Sequence, residues 1–163
     1  MLRVIAHRGA RAEEPENTLR AVKRAAECGA DAVEVDVRFS SDQEPVVIHD
    51  ETLDRTTNGS GAVSEQTFEQ LRTLDAGNGE KIPTLSKVLS LVKALGRELV
   101  IELKEPGTEE RVVREIVRAG RERNVVIASF FHSLLLRMKE LAPDLKTNVI
   151  TLVAARFSGY VGT

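Results

Sequence analysis

The stretch that decides the fold is Ala-Val-Glu-Val-Asp-Val at residues 32–37, a short β-branched run that carries two carboxylates. Successive side chains of a strand point to opposite faces, so Glu34 and Asp36 leave one face while the valines occupy the other. The valine face suits packing against helices. The run therefore predicts a buried strand that directs two acidic groups into the interior of a folded domain.

Further short runs along the chain share this character, being rich in Val, Ile and Leu and mostly ending at ionisable residues: 2–6, 45–49, 98–104, 125–129 and 147–153. Nearly continuous apolar runs predict a parallel sheet that is covered on both faces. Helical patterns with capping residues lie between them, at 18–28, 67–74, 84–96, 108–124 and 133–142. Asn17 or Thr18 is expected to cap the first of these helices. The alternation predicts an α/β fold, and ionisable groups at strand ends favour a TIM-type (β/α) barrel.

The length of the chain limits how much of such a barrel it can form. With 163 residues, 42% of them apolar, the chain can bury one good core, so a single domain over residues 1–163 is expected. TIM barrels usually need at least about 200 residues, so we expect about six of the eight strands, with the last barrel strands missing. An unclosed barrel exposes two strand edges, and a homo-oligomer would be one way to complete the sheet.

The bulk composition argues against several classes of protein. A net charge of −2 and a pI near 6.0 give no electrostatic reason to expect nucleic-acid binding. No apolar run approaches the roughly 18 residues of a membrane span, and the N-terminus is typical of a strand rather than of a cleavable leader. A single cysteine excludes an internal disulfide. A soluble cytoplasmic domain is the expectation.

Three carboxylates on the predicted strands form a candidate metal site: Glu34, Asp36 and Glu102. Glu102 shares a strand face with Lys104, and unpaired charges in an interior are costly, so these groups need partners. The acidic groups together with Arg8 and Lys104 leave one negative charge, and a divalent cation plus a phosphodiester monoanion restores neutrality. An all-oxygen donor set suits a hard cation such as Mg²⁺ or Ca²⁺. A purely structural ion-pair network is the alternative interpretation.

Two histidines also end predicted strands. His7 and His49 follow the first and third strands, which alternate around a barrel, so we expect them to face each other across its mouth. A pair of imidazoles can take a proton from a nucleophile and give one to a leaving alkoxide. Arg8 and Lys104 would hold the phosphoryl oxygens. A metal-dependent sugar isomerase or aldolase also uses carboxylates and histidine, but the two cations favour a phosphate ester.

The motifs resemble those of the glycerophosphodiester phosphodiesterase family, which are phosphatidylinositol-phosphodiesterase-like TIM barrels. The matching segments occur in the family order: 6–9, 15–18, 34–36, 47–50, 53–59, 82–85, 101–104 and 129–130. Each segment alone is a weak signal, but together and in order they are highly specific. Family members carry further strands after the last of these segments.

The resemblance implies metal-dependent hydrolysis of a glycerophosphodiester to sn-glycerol 3-phosphate and an alcohol. It implies that His7 and His49 act as general acid and base, and that residues 51–83 form an active-site insertion that shapes the substrate pocket. It also implies the binding roles of the charged groups: Glu34, Asp36 and Glu102 for the metal, Arg8 and Lys104 for the phosphate. A truncated, inactive or oligomer-completed half-barrel that serves as a binding module is the non-enzymatic alternative.

Overall fold

A six-stranded sheet organises residues 2–151, the part of the chain that the computed structural model describes. Five of its strands run parallel in the order β1-β2-β4-β5-β6: Ile5–His7, Ala32–Phe39, Glu98–Leu103, Val125–Ser129 and Lys146–Val149. The helices between them are α1 to α5: Leu19–Glu27, Phe68–Leu71, Leu85–Ala94, Glu109–Ala119 and His132–Leu141. Short 3₁₀ turns occupy Val63–Glu65 and Glu122–Asn124. This alternation is the architecture that the sequence predicts for a (β/α) barrel.

The register of the parallel strands brings the ionisable side chains together. His7 at the end of β1 lies opposite Glu34 on β2, and Asp36 on β2 lies opposite Glu102 on β4. Partners in register point to the same face of a sheet, so the acidic side chains of two strands meet on one side. The sheet thereby builds the site from its central strands.

The opposite face of β2 forms the core. Val33, Val35 and Val37 are completely buried among apolar side chains of the helices, such as Leu89 of α3 and Ile116 of α4. This burial is the main source of stability for the helical layer, because each fully buried aliphatic side chain contributes about 1.5–3 kcal/mol. The prediction that the valines pack against outer helices is confirmed.

The strand expected at residues 45–49 differs from the prediction in direction and length. The strand β3 spans Pro45–Val47 and pairs antiparallel with β2, so that Val46 lies opposite Arg38. Only residues 40–44 link the two strands, with Gln43 in the left-handed region at φ 61°, and a parallel pair needs a crossover of a dozen or more residues. The argument that His7 and His49 end alternating barrel strands is therefore wrong, and β4 is the next parallel neighbour of β2.

The long connection at residues 51–83, called the connection below, is folded. It has its own small core, in which Leu53, Val63 and Leu71 are buried together with Ile48 that precedes it. The helix α2 begins with the capping box that the sequence predicts at Thr67. Nothing in its composition predicts a strand, and the described structure has none there, only the isolated β-bridge between Thr52 and Ala62. The connection is thus a packed excursion rather than a disordered loop.

Several helix and strand ends differ from the prediction. The strand expected at residues 2–6 is observed at Ile5–His7, and the helix expected to reach residue 74 ends at Leu71. The helix expected to reach Asn124 ends at Ala119, because Gly120 adopts a left-handed conformation (φ 61°) that closes it. The strand expected over residues 147–153 is observed up to Val149, and residues 152 and 153 lie outside the described part. None of the helices in residues 2–151 combines the length and hydropathy that a membrane span requires.

Candidate active site

A cavity of about 700 Å³ lies where the parallel strands end, and we call it the site cavity. One wall is charged, formed by six of the side chains that the sequence singles out: His7, Arg8, Glu34, His49, Glu102 and Lys104. The other wall is apolar, formed by residues such as Val100, Phe130 and Val149. A cavity that combines apolar lining with convergent polar groups is the usual form of a small-molecule site.

Three buried carboxylates form the acidic cluster: Glu34 and Glu102, which are part of the charged wall, and Asp36, which lies behind it. One oxygen from each carboxylate lies within 4.8 Å of the others. Burial, and next the charge of Asp36, raises the pKa of Glu34 to about 7. Within residues 2–151, Glu34 Oε1 is buried without a hydrogen-bond partner. An orphaned oxygen in a group of buried carboxylates fits a cation better than it fits a finished ion-pair network.

The two cations predicted for phosphate binding are seated against this cluster. Lys104 Nζ lies 2.8 Å from Asp36 Oδ1 and also bonds to Glu102. Arg8 Nε lies 3.2 Å from Asp36 Oδ2, and the Arg8 backbone N–H donates to Glu34 Oε2 at 2.9 Å. Both cationic side chains are nearly buried, yet both line the site cavity. They therefore partly neutralise the acidic cluster while facing the space where a substrate would lie.

Asn17 belongs to the site, although the sequence favours a capping role for it. Its Nδ2 donates to Asp36 Oδ2 at 2.9 Å, and its Oδ1 accepts from the Asp36 backbone N–H at 3.2 Å. The side chain is buried, and the backbone is left-handed at φ 60°, a conformation that asparagine tolerates better than most residues. Thr18 is the cap of α1 instead, since its hydroxyl accepts from Ala21 N. Asn17 thus fixes the orientation of a carboxylate in the acidic cluster.

The two histidines have different surroundings. His7 Nε2 lies 3.7 Å from Glu34 Oε2, and about half of the side chain is exposed. Burial, followed by the charge of Arg8, lowers the pKa of His7 from its ordinary value. His49 Nδ1 lies 2.5 Å from Asp50 Oδ1, while its backbone carbonyl accepts from Arg38 Nε at 2.8 Å. Although β3 is not a barrel strand, both histidines reach the site cavity.

A further ion-pair network surrounds His49. Arg55 Nε lies 2.6 Å from Asp50 Oδ2, and the Arg55 guanidinium also donates to both oxygens of Glu16 at 2.8 and 3.1 Å. Glu16 Oε1 in turn accepts from Arg8 at 2.9 Å. The Arg55 hydrogen bonds lower the pKa of Asp50 and that of Glu16 from their ordinary values. Sequence reasoning assigned no site role to Glu16 or Arg55, because their contacts cross between distant segments.

Residues 7–157 of the chain match the glycerophosphoryl diester phosphodiesterase family. The chain belongs to this family. The match spans the described site and extends to residues beyond the described part. Membership favours a phosphoric diester hydrolase over the sugar isomerase or aldolase alternative.

Relatives in the family include named enzymes. The chain is 45% identical to a glycerophosphodiester phosphodiesterase of Caldanaerobacter subterraneus subsp. tengcongensis, with 90% of this chain and 65% of the relative covered. It is 37% identical to glycerophosphodiester phosphodiesterase 1 of Homo sapiens, with 88% of this chain and 47% of the relative covered. The chain therefore spans about two thirds or less of the length of these relatives.

Solved structures of the family have the same fold. A glycerophosphodiester phosphodiesterase from Agrobacterium tumefaciens superposes with a TM-score of 0.84 at 36% identity, covering 90% of this chain and 66% of that chain. A phosphodiesterase from Oleispira antarctica, solved in complex with the product sn-glycerol-3-phosphate, gives a TM-score of 0.83 at 32% identity over 96% of this chain and 69% of that chain. The fold prediction of a TIM-type barrel with about six strands in the described part is confirmed.

Proposed function

We propose that the chain carries the chemistry of a glycerophosphodiester phosphodiesterase, which hydrolyses a glycerophosphodiester to sn-glycerol 3-phosphate and an alcohol. The observation that carries the proposal is the convergence of a buried acidic cluster, two histidines and two cations on one cavity. These are the groups that hydrolysis of an anionic ester needs: charge to hold the phosphoryl oxygens and proton carriers on either side.

His7 and His49 are proposed as the general acid and base. Imidazole titrates near neutral pH, so one ring can accept a proton from the attacking hydroxyl while the other protonates the leaving alkoxide. The Asp50 carboxylate beside His49 Nδ1 leaves Nε2 as the nitrogen that exchanges protons with substrate. The lowered pKa of His7 keeps its ring neutral at neutral pH, which suits a proton acceptor.

Arg8 and Lys104 are proposed to bind the phosphoryl oxygens. Both groups lie at the boundary between the acidic cluster and the site cavity. A guanidinium offers paired donors that match phosphate geometry, and an ammonium adds a compact charge. Their present carboxylate contacts hold them in place before substrate arrives, which reduces the entropy lost on binding.

A divalent cation, Mg²⁺ or Ca²⁺, is proposed to bind at Glu34, Asp36 and Glu102. The donor set fits, because it consists of carboxylate oxygens close together and includes the orphaned Glu34 Oε1. Such an ion, when bound, supplies positive charge that stabilises the charge developing on the phosphoryl group. Burial, and next the charge of Asp36, raises the pKa of Glu34, and a bound cation would favour the ionised form of this carboxylate.

The proposal extends to the domain as a whole. Residues 1–163 are proposed to form a single cytoplasmic domain of this family, with the connection as its active-site insertion. The alternative, a half-barrel completed by association with a second copy, is favoured by one observation. Apolar side chains are exposed at both outer strands of the described sheet, with Ile5 of β1 51% and Val149 of β6 59% exposed.

The deciding experiment measures release of sn-glycerol 3-phosphate from glycerophosphocholine by the purified chain, with Mg²⁺ or Ca²⁺ and with EDTA. We expect turnover that EDTA, His7→Ala and His49→Ala each abolish. The matched control is His132→Ala, because His132 is exposed at the start of α5 and does not line the site cavity. Undiminished turnover in EDTA would refute the metal, and turnover by both site variants would refute the acid–base assignment.

The oligomeric state of the chain distinguishes an enzyme that works as a single chain from a half-barrel completed by a second copy. Light scattering coupled to size-exclusion chromatography gives the mass in solution, and the same fractions are assayed for turnover. Turnover by a monomer supports the enzyme as a single chain. Turnover confined to an oligomer supports completion by association, and a folded oligomer without turnover supports the binding module.

A further inference from the structure

Arg55 connects two parts of the site that come from different segments of the chain. Its guanidinium bonds to both oxygens of Asp50 at 2.6 and 3.1 Å, and to both oxygens of Glu16 at 3.1 and 2.8 Å. Paired hydrogen bonds between a guanidinium and a carboxylate restrict direction as well as distance. Arg55 therefore holds two carboxylates at a fixed mutual orientation.

Each of those carboxylates touches a residue of the charged wall. Asp50 Oδ1 lies 2.5 Å from His49 Nδ1, and Glu16 Oε1 lies 2.9 Å from Arg8. Arg8 continues to Asp36 Oδ2 at 3.2 Å. A continuous series of contacts thus runs from the imidazole of His49 through Arg55 to the acidic cluster.

The backbone around Arg55 is held by the rest of the connection. Leu53 is buried in the small core of the connection, its N–H donates to Gly61, and its carbonyl accepts from Thr57. Asn58 N–H donates to the carbonyl of Asp75, so both sides of the Arg55 turn are fixed. The Arg55 side chain itself is half exposed, at 48%. The packed connection thereby places the Arg55 guanidinium beside the site, although Arg55 does not belong to the sheet.

An ordinary surface ion pair would have no such consequence. The connection provides one for comparison, since Arg72 pairs with Glu69 at 2.8 Å and both side chains are exposed. Exposed pairs of this kind contribute little to structure. Arg55 differs because its partners are less exposed than it is and are themselves bonded to His49 and Arg8.

The geometry points to Arg55 as a positioning residue that aligns His49, through Asp50, with Arg8, through Glu16. This inference rests on the proposed function, because it concerns the two groups assigned there to proton transfer and phosphate binding. Arg55 touches neither reacting group, so it acts on the reaction only through its two carboxylate partners. The connection is thereby a component that sets the geometry of the site in addition to bordering it.

The experiment compares Arg55→Met, Arg55→Lys and the matched control Arg72→Met in the full chain, with glycerophosphocholine as substrate. Because small misplacements of catalytic groups reduce turnover strongly, we expect Arg55→Met to lower kcat at least about tenfold and to change KM less than about threefold. Arg55→Lys should recover only part of the loss, since an ammonium cannot make the two paired contacts. Arg72→Met should match the wild type.

A double-mutant comparison tests the route through Asp50. In an Asp50→Asn background, Arg55→Met should lower kcat by a smaller factor than it does in the wild type, because the route through Asp50 is already broken and only the route through Glu16 remains. A second readout does not need turnover. In ¹⁵N-histidine NMR at alkaline pH, His49 should be the Nδ1–H tautomer in the wild type and a mixture of tautomers in Arg55→Met.

The outcomes separate this inference from the proposed function. A kcat loss with the double-mutant behaviour and the tautomer change supports the positioning role. Wild-type kcat in Arg55→Met, full rescue by lysine, multiplicative losses in the double mutant, or an unchanged His49 tautomer would each overturn it. If the wild-type chain shows no turnover, the proposed function fails, and the tautomer comparison alone decides the role of Arg55. Thermal unfolding of each variant shows that it is folded.

Discussion

The raised pKa of Glu34 predicts that the metal-free protein becomes less stable as the pH rises toward neutrality. Burial is the main cause, followed by the charge of Asp36, and together they move this pKa from 4.5 to about 7. The folded state therefore keeps its proton on Glu34 over a range in which the unfolded state has lost it. The stabilisation from this group is fully present below about pH 4.5 and is lost as the pH rises through about 7.

The magnitude follows from the two pKa values. Each tenfold change in the acid constant is worth 1.36 kcal/mol, so the change from 4.5 to about 7 corresponds to about 3 kcal/mol. A domain of this size has a total stability of about 5–15 kcal/mol, so the loss is a large fraction. The lowered pKa of His7 acts in the opposite direction near neutral pH, which is why a difference between two variants is measured.

The assay is urea unfolding of the wild type and Glu34→Gln in EDTA, at intervals from about pH 4.5 to about 7.5. Glutamine keeps an oxygen that accepts from the Arg8 N–H but carries no charge. We expect the free energy of unfolding of Glu34→Gln to gain about 3 kcal/mol relative to the wild type across this range. The control is Glu65→Gln, since Glu65 is exposed and lies outside the site.

If the free energies of unfolding of the wild type and Glu34→Gln change with pH in parallel, the reasoning is refuted. Parallel curves would show that Glu34 has the same pKa in the folded and unfolded states. Addition of Mg²⁺ extends the test. A bound cation needs deprotonated ligands, so Mg²⁺ should stabilise the wild type more at about pH 7.5 than at about pH 5, and should leave Glu34→Gln nearly unaffected.

Three further tests, at Asn17, Gly9 and Leu53, concern the supports of the site. Asn17→Ala should lower the free energy of unfolding in urea by about 2–4 kcal/mol, because it removes two hydrogen bonds to Asp36 and places alanine at φ 60°. Asn17→Gly should recover about 1 kcal/mol of this loss, because glycine adopts that φ without strain. Equal stabilities of the two variants would contradict the argument from backbone conformation. Gly9→Ala should lower the free energy of unfolding by well over about 1 kcal/mol, because φ is 77° and the new Cβ would lie 2.7 Å from Ala21. The control Gly29→Ala has a similar φ of 86° but meets no atom within 4 Å, so it should lose only about 1 kcal/mol. Similar losses in the two variants would refute the steric argument. Leu53→Ala should lower the free energy of unfolding by about 2–5 kcal/mol, because it leaves a cavity in the small core of the connection. It should also lower kcat, because that core holds the backbone around Arg55. A loss of stability without a change in kcat would contradict the link between this core and the site.

Most of the acidic cluster was predictable from local pattern alone. Strand alternation puts Glu34 and Asp36 on one face, and the parallel register then sets Asp36 beside Glu102. The direction of β3 could also have been inferred, since residues 40–44 are too few for a crossover. The two histidines reach the same cavity, but for a different reason from the alternation of barrel strands that the sequence suggested.

The supports of the site could not be predicted in this way. Asn17 and Thr18 are both common helix caps, and only the packing of α1 against β2 shows which one turns back to Asp36. The contacts of Arg55 join residues that are 39 positions apart in the case of Glu16, through a connection without periodic pattern. Such contacts depend on where the folded connection lies relative to the sheet, and hydrophobic periodicity does not predict that position.

The charged wall and the apolar wall lie at different distances from the open edge of the described sheet at β6. The acidic cluster and His7 lie on the neighbouring strands β1, β2 and β4, and Arg8, Lys104 and His49 lie in the segments that follow β1, β4 and β3. The apolar wall is different, since Phe130 and Val149 belong to β5, β6 and their ends, beside the exposed edge. Covering that edge would change the apolar wall first. We therefore expect association or further chain to alter recognition of the alcohol part of a substrate, seen in KM, more than the acid–base chemistry, seen in kcat.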